Sequence, residues 1–68
     1  MKPSPRLERA RERVAESARR VAEQKLRIAT LRADGEDTVA AAKLLDELKI
    51  AHRLFVEQLA MEQAKSLR

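Results

Sequence analysis

The chain predicts an all-α fold, an antiparallel helical hairpin of two long helices that dimerises into a four-helix bundle. Three observations carry that expectation. A single glycine, Gly35, stands at the midpoint of 68 residues, inside the run Ala33-Asp34-Gly35-Glu36-Asp37-Thr38. The arms on either side repeat apolar residues at helical spacing, and no proline or glycine interrupts that pattern. The apolar arcs are also wider than one neighbouring helix can cover.

The first helix is expected over residues 4–33. Ser4 is placed to cap it, and Pro5 falls in its first turn, where a missing N–H costs nothing. Leu7, Val14, Val21 and Ile28 recur every seven residues, with Ala10, Ser17, Gln24 and Leu31 three residues further on, which makes a heptad seam. A second stripe of Ala15, Ala18, Ala22, Leu26, Ala29 and Ala33 lies beside the seam. Together they span roughly 200° of the helix. So broad an arc, rich in alanine, suits a helix with two neighbours.

The turn is expected at residues 34–37. Gly35 can take the left-handed conformation that ends a helix, and Asp37 or Thr38 can cap the N–H groups that open the next one. The second helix is expected over residues 38–66, with Ala41, Leu44, Leu45, Leu48, His52, Phe55 and Leu59 on the face that meets the core. Folding about Gly35 pairs residues whose numbers add to about 70, given equal rise along both helices. Val14 then lies near Phe55, Ala10 near Leu59, Val21 near Leu48 and Ile28 near Leu44. Large residues oppose small ones, as interdigitating layers require. Ile50, Leu54 and Met61 fall nearly opposite that stripe and form a candidate contact for a partner protein.

Charge is uneven. Residues 1–33 hold ten Lys/Arg and four Asp/Glu, a net of +6, whereas residues 34–68 hold five and seven, a net of −2, giving +4 for the chain. Arg6, Arg9, Arg13, Arg20 and Arg27 form a row on the outer face of the first arm and are candidate phosphate contacts. Against that reading, Glu16 stands four residues before Arg20 and Glu23 four before Arg27, the favoured orientation for intrahelical pairs. The only aromatic residue is Phe55, so base-stacking platforms for single-stranded nucleic acid are absent.

No cofactor, metal or catalytic site is expected. The chain has no cysteine and one histidine, too few ligands for a structural zinc site, and the absence of cysteine fits a reducing, cytoplasmic setting. His52 lies in the main apolar stripe, level with Ser17 and Ala18, and reads as a packed histidine bonded to Ser17, Glu16 or a symmetry mate. No nucleophile with a base beside it is evident in the sequence. The basic start Met1-Lys2-Pro3-Ser4-Pro5-Arg6 runs into charged residues rather than an apolar segment, so no secretory signal is expected there. Nothing approaches the ~20 apolar residues of a membrane span.

The residues Gln24, Ile28, Leu31, Asp34, Gly35, Asp37, Thr38, Ala41, Leu44 and Leu45 form a pattern. It resembles one found in small uncharacterised proteins of alphaproteobacteria, over about a third of the chain. The resemblance implies a shared hairpin and brings no substrate or site residues. This chain departs from those proteins at Glu36, where they often carry histidine, and lacks their aromatic or histidine-rich tail near residue 55. In architecture alone the hairpin is similar to Rop-type bundles, which dimerise and bind paired RNA loops.

The function expected is therefore a non-enzymatic protein-interaction module that self-associates, as a homodimer, and presents Ile50, Leu54 and Met61 to a partner protein. The alternative is a Rop-like RNA- or DNA-binding bundle that uses the arginine row. A membrane-surface role is disfavoured, since the first arm's apolar arc is mostly alanine.

Overall fold

The computed structural model describes residues 4–67; the Met1-Lys2-Pro3 start, where no secretory signal is expected, and Arg68 lie outside the described residues. Two helices follow in order, α1 over Pro5–Ala33 and α2 over Val39–Ser66. They fold back on each other as an antiparallel hairpin, 53 Å in its longest extent and 17 × 12 Å across. The expected boundaries hold to within a residue. No cysteine cross-link supports this shape, so helix packing and turn chemistry must hold it.

α1 starts at the pyrrolidine ring of Pro5, whose fixed φ is already helical. Ser4 occupies the cap position in extended conformation, but its side chain makes no capping bond. The expected Ser4 cap is corrected to a backbone one: the Ser4 carbonyl accepts the Glu8 N–H at 2.9 Å.

α1 ends in a Schellman motif. The Glu36 N–H donates to the Leu31 carbonyl at 2.9 Å and the Gly35 N–H to the Arg32 carbonyl at 3.1 Å, which satisfies two carbonyls that the helix would otherwise leave open. Gly35 makes this possible with φ +71°, a conformation in which an L side chain is strained. Of the two residues expected to open α2, Asp37 does so, with its Oδ1 accepting the Val39 N–H at 2.9 Å. Thr38 holds the cap position without a side-chain bond.

Burial follows the seam on α1 residue by residue. Ala10, Ser17, Gln24 and Ile28 are buried, and Leu7, Val14, Val21 and Leu31 are half-buried. On α2 the half-buried residues Ala41, Leu45, Leu48, His52, Phe55, Leu59 and Glu62 are spaced alternately by four and three, and Ala51 beside them is half-buried as well. That spacing displaces Leu44, which is 44% exposed, so the expected place of Leu44 in the core opposite Ile28 is corrected. Leu44 stands one step off the seam and flanks it. Val14, Val21, Phe55 and Leu48 keep their expected places on the seam.

A two-helix hairpin closes only one seam. Among the described residues no large side chain is fully buried, and the alanine stripe of α1 stays in water with Leu26 70% exposed. The breadth of the α1 arc is therefore uncovered within a single chain.

Candidate functional site

Among the described residues three polar bonds cross the hairpin and set its register. Ser17 Oγ lies 2.7 Å from His52 Nδ1, the Gln24 amide donates to the Ala41 carbonyl at 2.9 Å, and Arg13 Nη1 donates to Gln58 Oε1 at 3.3 Å. Ser17 Oγ also lies 3.0 Å from the Val14 carbonyl. A hydroxyl has one proton, so a single arrangement satisfies both contacts: Ser17 donates to Val14, and His52 Nδ1–H donates to Ser17. Of the three partners expected for His52, the structure gives it Ser17, and so sets a nucleophile-type residue beside a base-type one where none was expected to act. Ser17 is 6% exposed and lies inside the seam, so the pair is a packing contact that satisfies two polar groups.

The Arg13–Gln58 bond fixes which sides of the helices face each other beside the seam. Read from Arg13 in steps of seven, α1 carries Arg6, Arg13, Arg20 and Arg27; read from Gln58, α2 carries Leu44, Ala51, Gln58 and Lys65. Between these rows runs an open trough. Its central part has walls of mixed charge, Arg9, Arg13 and Arg20 alongside Glu12 and Glu16, and an apolar floor of Leu48, Ala51 and Phe55. It continues past Arg27 and Leu44 towards the turn, and past Arg6 and Gln58 towards the free ends. All five arginines of the row line it.

The rim charges are partly engaged. Arg19, one position off the row, holds Glu16 at 2.6 Å and Glu23 at 2.9 Å, while Arg20 Nε reaches Glu16 at 3.2 Å. The Arg19 hydrogen bond, then that of Arg20, keeps the Glu16 carboxyl below the ordinary glutamate value, and Glu16 in turn raises Arg19. The expected Glu16–Arg20 pair is present. The expected Glu23–Arg27 pair is corrected, because Glu23 turns back to Arg19 instead. Among the described residues Arg6, Arg9 and Arg27 make no ion pair.

The three apolar candidates are all exposed, Ile50 at 59%, Leu54 at 58% and Met61 at 60%. Leu54 precedes Gln58 by four residues and Met61 follows it by three, so both share its side of α2 without lining the trough. Ile50 lies further round the helix. On the opposite side of the seam Lys25, Lys49 and Arg53 gather around Ala18, His52 and Val56. Among the described residues no three His, Cys, Asp or Glu side chains come together as a metal ion would need, and no helix is long and apolar enough to cross a membrane. No family model, curated protein or solved structure matches the chain.

Proposed function

We propose that the protein is a non-enzymatic helical interaction module that works as a homodimer in a cytoplasmic setting and offers an exposed helix surface to a partner protein. The observation that carries this reading is excess surface. A compact folded chain of 7.7 kDa exposes about 4,300 Å² by the usual surface-to-mass relation. This hairpin exposes 5641 Å². The difference, about 1,300 Å², exceeds the ~800 Å² per partner that a stable interface buries.

The alanine stripe of α1 supports a particular geometry. Ala15, Ala18, Ala22 and Ala29 are exposed and small, which lets a second hairpin's helices approach to the ~8 Å that close helix packing allows. Ala18 borders the side of the seam opposite the trough. A bundle formed through the stripe leaves Arg13, Arg20, Leu54 and Met61 accessible. Sedimentation equilibrium tests the reading: a mass of about twice 7.7 kDa at micromolar concentration supports it, and a folded monomer across that range rejects it.

A second reading rests on the exposed arginine row, which a phosphate backbone could span in the manner of a Rop-like RNA or DNA binder. It ranks lower because the row stands over an apolar floor and Glu16 already engages Arg20. Fluorescence anisotropy with duplex DNA and structured RNA at about 150 mM salt decides it, since specific binders keep affinities of 10⁻⁸ M or tighter there.

A further inference from the structure

We infer that the groove on the other side of the seam from the trough is a binding site for an oligophosphate, a ligand with two or three linked phosphoryl groups, held by Lys25, Lys49 and Arg53 beside His52. The inference stands apart from the interaction-module reading and shares only Ala18 with its stripe.

Its first support is charge of one sign. Lys25, Lys49 and Arg53 line this groove with no carboxylate among them, whereas glutamates stand among the arginines of the trough. Lys49 and Arg53 are four residues apart on α2, where like charges repel. Among the described residues neither of them, nor Lys25, makes an ion pair. The carboxylates nearest in sequence do not serve them: Arg19 holds Glu23, and Asp46, Glu47 and Glu57 do not line the groove. Three free cations in one groove select an anion that carries several charges.

The second support is His52. Its Nδ1–H is committed to Ser17, which leaves Nε2 with no protein partner. No half-buried or buried residue among those described hides an unpartnered polar side-chain atom, so Nε2 is open to solvent, and the groove is the opening that His52 lines. A terminal phosphoryl group loses its second proton near pH ~6 and can share that proton with Nε2. A phosphodiester of nucleic acid has no such proton, and a carboxylate offers fewer acceptor oxygens and less charge.

The third support is length. Measured from the Ser17–His52 rung, Lys25 lies eight residues along α1, while Lys49 lies three residues the same way along the antiparallel α2 and Arg53 one residue the other way. The three cations therefore follow one line of ~14 Å, with Lys49 between the others. That suits a short chain of phosphoryl groups, reached from both ends by long side chains, better than a single compact anion.

The test is calorimetric titration of the full-length protein with inorganic tripolyphosphate at about 150 mM salt, with a Kd near ~10⁻⁵ M expected. Citrate should bind at least tenfold more weakly. The variant K25Q/K49Q/R53Q should lose at least tenfold, while R13Q/R20Q/R27Q, which removes the same charge from the trough side, should stay within about threefold; circular dichroism confirms that both remain helical. In the unaltered protein the ring resonances of His52 should shift as tripolyphosphate is added, a readout that needs no variant to fold. Adenosine triphosphate of equal affinity marks the phosphate chain itself as the ligand, and tighter binding marks a nucleotide; either supports the site. No binding overturns the inference. Equal losses in the two variants overturn it as well, since net charge alone would then explain the binding. Citrate as tight as tripolyphosphate, a His52 ring that does not respond, or a DNA duplex that displaces tripolyphosphate at equal phosphate concentration each does the same.

Discussion

Ser17 and His52 form the one side-chain rung inside the seam, with Oγ and Nδ1 2.7 Å apart midway along both helices. The rung ties α1 to α2 at a single register, because slipping either helix by a turn would leave both polar groups facing apolar neighbours. Ser17→Ala alone should cost about 1 kcal/mol or more, since the histidine loses its partner in a half-buried place. The double change Ser17→Ala with His52→Leu should restore stability to the parent level or above, as replacing both partners of a buried polar pair often does. Urea unfolding of the four members of the cycle measures the coupling, and strict additivity would show that the bond contributes nothing.

Glu16 gives the acid branch of stability a defined sign. Its carboxyl is lowered by the hydrogen bond from Arg19 and then that from Arg20, so the folded chain binds this proton less readily than the unfolded chain. The contribution is therefore complete above the unfolded value near 4.5 and is lost as pH falls through the depressed folded value. Wild type and Glu16→Gln should differ at neutral pH and converge in acid, and salt should shrink the difference because all three groups are exposed. An NMR titration that places Glu16 at or above 4.5 would remove the basis for this expectation.

The turn makes a third test. A Cβ added at Gly35 meets nothing within 4 Å, so Gly35→Ala carries no clash and only the penalty of a left-handed residue, about 1–2 kcal/mol. Asn at the same place should cost less, because it tolerates that conformation. Asp37→Ala removes the acceptor of the Val39 N–H and should cost about 1 kcal/mol. Thermal unfolding checks the order Asn above Ala, and the reverse order would show that the glycine serves something other than backbone conformation.

Periodicity made the hairpin readable, because burial repeats with the helix and the lone glycine marks where the repeat must reverse. The same logic placed Ser17 level with His52. What it could not place were choices of equal spacing. Glu23 has an arginine four residues on either side, and only the arrangement of side chains around Arg19 decides between them. Leu44 and Leu45 are adjacent and equally apolar, and the alternation of four and three from Ala41 is what sends Leu45 inward. Glu62 continues that alternation into the seam although its charge argues against it. The trough needs two helices to exist, so neither helix's own pattern reveals that the arginine row and Leu48 border one groove.

Core and surface should separate cleanly under substitution. Ile28 is buried where the helices meet, and Ile28→Ala should cost about 2–5 kcal/mol, enough to unfold a chain with so small a core. Leu54→Glu should change stability by less than about 0.5 kcal/mol, because the side chain is already in water. If stability nonetheless falls with Leu54→Glu, then Leu54 is covered in solution, and the trough side rather than the alanine stripe is where copies meet.

Ala22 decides between those two faces. It lies in the middle of the α1 stripe and is exposed in the hairpin, so Ala22→Glu adds a charge that a single chain tolerates. In a bundle packed through the stripe the same charge would be buried against the second copy without a partner, a penalty of several kcal/mol that a small interface cannot absorb. The variant should therefore sediment as a monomer with reduced helicity, and raising its concentration should not recover the dimer. Its response to salt adds a further check, since a buried unpaired carboxylate is screened far less than an exposed one. A dimer that survives Ala22→Glu but fails with Leu54→Glu would move the self-association surface from the alanine stripe of α1 to the Leu54 side of α2.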